Sequence, residues 1–122
     1  MKLTPQAGDA LVLVHVQNDF LPGGSLPVPH GDEVVPVLRR VLGIFMLARL
    51  PVFATRDWHP ANHVSFKAQG GPWPPHCVQG SPGAAFAPDL GVPPDATIIS
   101  SATDPAREAS FTAFVEPALF LL

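Results

Sequence analysis

The hydrophobic pattern divides the chain into three short apolar runs with one helical repeat between the first two. Residues 10–16 form a continuous apolar run rich in β-branched side chains, which predicts a buried parallel strand. Residues 51–55 and 96–100 predict two further strands. The strand, helix and strand at the start of the chain form a βαβ unit, so the first two strands should be parallel.

The helical repeat occupies residues 32–50. Its apolar side chains recur at helical spacing at Val34, Leu38, Val41, Leu42 and Phe45. Asp32 precedes the repeat as a plausible N-cap, and Pro36 falls in the first turn, where proline is tolerated. Residues 106–114 predict a short helix or turn after the third strand.

These elements predict a single α/β domain over residues 1–122. In open sheets of this class, ligands bind beyond the carboxyl ends of the strands. The polar stretches 17–20 and 56–63 follow the first two strands, so we expect them to meet at one crevice. Residues 60–94, rich in proline and glycine, predict a long ordered or semi-ordered loop rather than a linker, and such loops are usually functional.

Composition and charge narrow the class of protein. Hydrophobic residues make up 47% of the chain and charged residues 14%, which argues for a packed core and against disorder. The net charge of -3 and the absence of a basic patch argue against nucleic-acid binding. No apolar run is long enough to span a bilayer, and no secretory signal is visible. Cys77, the one cysteine, cannot form an internal disulfide, which indicates the cytoplasm.

The polar residues after the second strand include candidate metal ligands. Asp57 and His59 are two residues apart, so in an extended segment they point the same way. His76 follows later, and His63 is a possible fourth member. A carboxylate and two imidazoles with open positions suit Zn²⁺, Fe²⁺ or Mn²⁺. Alternatively, these residues are unrelated polar side chains of a loop. His63 could instead form a hydrogen bond within the loop, or support a residue that binds the metal.

Three long stretches of the chain resemble nicotinamidases (pyrazinamidases) of the isochorismatase-like cysteine hydrolase family. They are residues 14–26, 54–66 and 71–84, which read VHVQNDFLPGGSL, ATRDWHPANHVSF and GPWPPHCVQGSPGA. Residues 103–104 and 110–114 add a weaker match. The resemblance implies a Rossmann-like, three-layer parallel sheet with flanking helices. It also implies hydrolysis of nicotinamide or pyrazinamide through a cysteine nucleophile, with nicotinate and ammonia as the products of nicotinamide in NAD salvage.

The same resemblance implies roles for individual residues. Asp57, His59 and His76, with His63, would bind the metal that holds the pyridine nitrogen. Phe20 and Trp73 match aromatic positions that flank the substrate ring, although ordinary core packing is an equal alternative. Other branches of the family act on isochorismate or carbamoyl substrates, and these generally lack the metal motifs found in this chain.

The sequence departs from the family pattern at the catalytic positions. His15 stands at the position of the catalytic aspartate, and Ser101 is the closest match to the catalytic lysine. The nucleophilic cysteine has no counterpart, because Cys77 matches the residue after a metal histidine. The C-terminal part of the family fold is therefore expected to be absent. The chain would then be either a fragment of an enzyme or a metal- or ligand-binding remnant without turnover. An open edge at the third strand would favour self-association into a homo-oligomer.

Overall fold

The computed structural model describes residues 2–107, which form a parallel sheet covered by one helix. The elements are β1 (Leu11–Val14), α1 (Val34–Leu47), β2 (Val52–Asp57) and β3 (Thr97–Ser101). The sheet order is β1-β2-β3, and both strand pairs are parallel. The predicted α/β class and the predicted parallel pairing are therefore confirmed.

The ends of the strands differ from the prediction in a way that shapes the functional site. β1 ends two residues earlier than predicted, because His15 adopts a left-handed backbone with φ 53°. β2 continues two residues further, because Arg56 and Asp57 pair with Ser100 and Ser101 of β3. The acidic residue after the predicted strand therefore belongs to the sheet itself.

The helix is shorter than residues 32–50 and begins differently. A 3₁₀ turn, Gly31–Glu33, leads into α1, and no side chain caps its N-terminus. The prediction of an Asp32 cap was wrong, because Asp32 lies inside this turn, whereas a capping residue adopts extended backbone just before the helix. The helix ends before Arg49, whose left-handed φ of 56° cannot continue it.

The hydrophobic core lies between α1 and one face of the sheet. Leu13 pairs with Ala54 in register, and both face the buried side of α1. Because side chains alternate along a strand, Thr55 and Asp57 point to the opposite face. Within residues 2–107 there is no α-helix besides α1, so a second helical layer is not among them. Most of the helix or turn predicted at residues 106–114 lies outside the described residues.

The long loop between β2 and β3 folds back over the carboxyl ends of the strands. It contains three short 3₁₀ helices, Lys67–Gln69, Pro82–Ala84 and Pro88–Leu90. Isolated backbone bridges tie it down, at Gln17–Phe86, His59–Val78 and Phe66–Trp73. The loop is thus ordered, as predicted. Over the part of the chain described, no helix has the length and apolar character needed to cross a membrane.

Candidate metal centre and adjoining cavity

One carboxylate and two imidazoles converge at the carboxyl end of β2. Each of Asp57, His59 and His76 offers a ligand atom, and these atoms all lie within 4.8 Å of one another. Asp57 ends the strand, and His59 follows it. His76 lies in the long loop and is brought next to His59 by backbone pairing. The N–H of His59 donates to the carbonyl of Cys77, the residue after His76, at 2.9 Å. The three side chains form a group that could hold a metal ion.

His59 gives the clearest physical sign that the group suits a cation. Its side chain is fully buried, and neither ring nitrogen has a hydrogen-bond partner among residues 2–107. Its Nε2 lies 3.7 Å from Oδ2 of Asp57. A buried polar atom without a partner costs about 1–3 kcal/mol, and a bound cation would remove that cost. The donor set also fits Zn²⁺, Fe²⁺ or Mn²⁺ with positions left open.

His76 is held in the tautomer that a metal needs. Its Nδ1 lies 2.8 Å from the Pro74 carbonyl oxygen, which can only accept, so Nδ1 carries the proton and Nε2 keeps its lone pair. Burial lowers the pKa of His76 below the ordinary histidine value, against the opposing effect of the Pro74 hydrogen bond. The neutral ring is therefore favoured, and this is the form that binds metals.

Asp57 is held in its charged form. Burial alone raises its pKa, but the contact with His59 and the charges of His15 and His59 together lower it more, and the hydrogen bond from Ser101 adds to this. The net result is a pKa below the ordinary aspartate value. An ionised carboxylate is the second requirement of the donor set.

Gln17 fixes the backbone of Asp57 and was not singled out by the sequence analysis. Its fully buried amide donates to the Asp57 carbonyl at 2.8 Å and to the Ala84 carbonyl at 2.9 Å. Its Oε1 accepts the Asp57 N–H at 2.9 Å. The only signal for this role in the sequence was an amide placed directly after the first apolar run. Gln17 thus joins the end of β1, the end of β2 and the distant loop.

His63 lies beside the group of three ligands rather than within it. Its ring centroid is 4.3 Å from that of His59. Its Nδ1 accepts from the Ser65 hydroxyl at 2.7 Å, and its Nε2 lies 2.6 Å from the Arg107 carbonyl. Because both ring nitrogens are engaged, this arrangement favours the supporting role over direct ligation, and ligation by His63 stays a prediction.

Phe66 provides an apolar wall behind the imidazoles and was also missed. Its side chain is 1% exposed. The ring meets His59, His63 and His76 edge to face, at centroid distances of 5.3, 5.8 and 5.5 Å. A single phenylalanine in a polar stretch gives little warning of this role. It thus packs against all three histidines at once.

A cavity of about 710 Å³ opens beside the three candidate ligands. Phe20 and Trp73 both line it, together with proline and aliphatic side chains. Trp73 is 38% exposed and Phe20 is half-buried, so neither belongs to the core. The Phe20 ring lies 5.7 Å from that of His76. The walls suit a small flat ligand, and ring contact by these residues stays a prediction.

His15 and Ser101, which match catalytic positions of the family, lie in different surroundings. His15 lines the cavity, and its Nε2 lies 3.6 Å from Oδ1 of Asp57. Ser101 is buried at the end of β3, with its hydroxyl 3.2 Å from the same oxygen. Ser101 is not one of the described residues that line the cavity. The catalytic roles of His15 and Ser101 stay predictions.

Cys77 cannot serve as a nucleophile where it stands. It is fully buried, and it is not one of the described residues that line the cavity. Burial raises the pKa of its thiol far above the ordinary cysteine value, and the negative charges of Asp57 and Asp19 add to this. Since the thiolate is the reactive form, Cys77 is chemically inert.

Comparison with known proteins gives a consistent set of relatives. The isochorismatase domain matches residues 9–119. A nicotinamidase of Escherichia coli (strain K12) is 38% identical over 122 residues, which cover 88% of this chain and 57% of that protein. A nicotinamidase/pyrazinamidase of Mycobacterium tuberculosis is 42% identical over 87 residues, 66% of this chain and 45% of that protein.

A solved structure shows the same relationship in three dimensions. The pyrazinamidase of Pyrococcus horikoshii in complex with zinc has a TM-score of 0.77 and 54% sequence identity to this chain. That match covers 82% of this chain and 55% of the other. The chain thus spans about half the length of the relatives that it matches.

Proposed function

This chain belongs to the isochorismatase domain family. On that premise we propose that it is an amidohydrolase of the nicotinamidase type. The reaction would convert nicotinamide and water into nicotinate and ammonia. One observation carries the proposal: Asp57, His59 and His76 converge beside a largely apolar cavity. A carboxylate and two imidazoles with open positions can bind a divalent ion together with a ligand atom. The relatives named nicotinamidase or pyrazinamidase support the choice of substrate class.

Each part of the site would have a distinct task. Asp57, His59 and His76 would hold Zn²⁺, Fe²⁺ or Mn²⁺, which when bound supplies a Lewis acid for the ring nitrogen of the substrate. Phe20 and Trp73 would contact the faces of the pyridine ring. The apolar walls would exclude water and fix the amide group in place.

A second candidate function is metal and ligand binding without turnover. The observation that favours it is the burial of Cys77 away from the cavity. Acyl transfer of this type needs an activated nucleophile in contact with the substrate, and the part of the chain described offers no thiol there. In this second function the site would bind nicotinamide or pyrazinamide and release it unchanged.

Ammonia release from nicotinamide, measured with added Zn²⁺, Fe²⁺ or Mn²⁺, separates the two candidates. The His59→Ala variant is the control, because it removes a candidate ligand. Turnover above the His59→Ala level supports the hydrolase. Calorimetric binding of metal and then of nicotinamide, without turnover, supports the binding function. A chain that binds neither would overturn both.

The cellular context remains a set of predictions. The proposed reaction is consistent with a role in NAD salvage. The single buried cysteine is consistent with a cytoplasmic location. The outer position of β1 and β3 in the described sheet is consistent with self-association.

A further inference from the structure

Two side chains approach the same oxygen of Asp57: His15, which follows β1, and Ser101, which ends β3. The Ser101 hydroxyl lies 3.2 Å from Oδ1 and 3.2 Å from the Arg56 carbonyl, so two acceptors share its one proton. His15 Nε2 lies 3.6 Å from Oδ1. The other oxygen, Oδ2, is 3.7 Å from His59 Nε2. The two carboxylate oxygens therefore have different neighbours: Oδ1 is close to Ser101 and His15, and Oδ2 is close to His59.

The orientation of His15 is fixed from its other side. Its Nδ1 lies 3.2 Å from the hydroxyl of Thr55, a fully buried residue of β2, and its backbone N–H donates to the Thr55 carbonyl at 3.1 Å. When the Thr55 hydroxyl donates to Nδ1, the ring proton resides on Nε2, which then faces Asp57.

His15 Nε2 is free to form a hydrogen bond with Asp57. It is buried and has no hydrogen-bond partner in the described part of the chain. N–H···O bonds are about 2.7–3.2 Å long, so a movement of roughly half an ångström would complete a bond to Asp57 Oδ1. Such a bond would satisfy the nitrogen and add a second donor to that oxygen.

We propose that His15 and Ser101 are positioning residues for the metal carboxylate: they hold Oδ1 of Asp57, so that Oδ2 is directed towards the cation beside His59. This inference rests on the metal site of the proposed function. Metal-binding carboxylates are commonly hydrogen-bonded at their other oxygen, and the loss of such a partner typically weakens metal binding roughly 10- to 100-fold. The two positions that match catalytic residues of the family would thus serve the metal in this chain.

The test is the affinity of the chain for Zn²⁺, measured by competition with a chromophoric chelator. The His15→Ala and Ser101→Ala variants should each bind Zn²⁺ roughly 10- to 100-fold more weakly than the unchanged chain. The Co²⁺-loaded variants should also show an altered visible absorption spectrum, because the geometry at the ion changes. A purely structural role would not move this spectrum while the ion remained bound.

Matched controls are available on the same chain. His30→Ala replaces another histidine with a left-handed backbone, φ 59°, whose exposed side chain contacts only Glu33 among the described ion pairs. Ser100→Ala replaces the neighbouring serine of β3, whose hydroxyl accepts from Arg56. Both control variants should bind Zn²⁺ like the unchanged chain. The conservative variants His15→Gln and Ser101→Thr, which keep a donor, should recover most of the affinity.

The outcomes distinguish this inference from the function on which it rests. If the unchanged chain binds no Zn²⁺, the metal site of the proposed function fails and the inference fails with it. If the chain binds Zn²⁺ and both alanine variants bind it equally well, the metal site stands and this inference is overturned. Circular dichroism of the metal-free variants checks folding. Should His15→Ala unfold, His15→Leu replaces it, and an affinity equal to that of His15→Gln would overturn the inference.

Discussion

At the scale of single residues, each donor of the candidate metal centre is held by a different neighbour. The amide of Gln17 clamps the Asp57 backbone, and the Pro74 carbonyl fixes the His76 ring. The His59 ring packs against Phe66 and His63, and neither of its nitrogens has a hydrogen-bond partner among residues 2–107. The donors therefore depend on neighbours that no metal-binding motif would include.

Replacement of Gln17 by alanine should destabilise the fold and weaken metal binding. The change leaves the buried Asp57 N–H and the Asp57 carbonyl without their partner, and we expect a loss of about 3 kcal/mol in the free energy of unfolding. Urea denaturation measures this loss. Gln79→Ala is the control, since its amide bonds the Trp58 carbonyl in an exposed region. Equal losses for the two variants would contradict the proposed clamp.

The titration of His76 should lie below the ordinary histidine value of about 6.5, because burial lowers its pKa. Between its folded pKa and the ordinary value, the unfolded chain binds more protons than the folded one. The stability contributed by the neutral ring is therefore present above the ordinary value and is lost as pH falls through this window. NMR titration of the metal-free chain measures the His76 pKa directly. A value above 6.5 would show that burial does not govern this ring.

At the scale of elements, the site depends on close contact between the segment after β1 and the long loop. The Asp19 carboxylate accepts the backbone N–H of Cys77 at 2.8 Å and that of Ser25 at 3.2 Å. A Cβ atom at Gly83 would overlap this carboxylate. Only glycine therefore allows the loop to approach, and through Cys77 the same contact fixes the position of His76.

Gly83→Ala should separate these segments. We expect a loss of about 2 kcal/mol in the free energy of unfolding, from overpacking, together with weaker Zn²⁺ binding. Gly43→Ala in α1 is the matched control, because nothing lies within 4 Å of the added Cβ, and it should stabilise the helix by up to about 1 kcal/mol. Thermal or urea unfolding compares the two. A Gly83→Ala chain as stable as the unchanged one would refute the contact.

At the scale of the whole molecule, a bound metal would join the end of β2 to the loop that carries His76. Within residues 2–107 one helix covers one face of the sheet, and β1 and β3 are the outer strands. A domain of 122 residues has a narrow margin of stability. A ligand that binds only the folded chain should therefore have a large effect on its unfolding.

Zn²⁺ should raise the Tm of the chain. A ligand at 100 times its Kd stabilises the folded state by about 2.7 kcal/mol, which corresponds to a shift of about 10 °C or more for a domain of this size. Differential scanning calorimetry with and without Zn²⁺ measures the shift. His59→Ala should show little of it, and an equal shift in that variant would mean that the ion binds elsewhere.

The sequence by itself determined the elements of this protein and the identity of the candidate donors. Apolar runs and helical spacing are local properties, so they located β1, α1, β2 and β3 to within a few residues. The Asp-x-His spacing was also local, and it placed Asp57 and His59 on one side of an extended segment. The predicted cap at Asp32 was wrong because the chain enters the helix through a 3₁₀ turn, a choice of backbone geometry that the residue type does not dictate.

Only the tertiary structure decided how the distant segments meet. The arrival of His76 depends on backbone pairing across the loop, and the clamp by Gln17 depends on contacts 40 and 67 residues away in sequence. The same holds for the placement of His63 beside the site and for the shared contact of His15 and Ser101 with Asp57. Each of these depends on the register of strands and loops, which long-range packing sets and which no periodicity along the chain records.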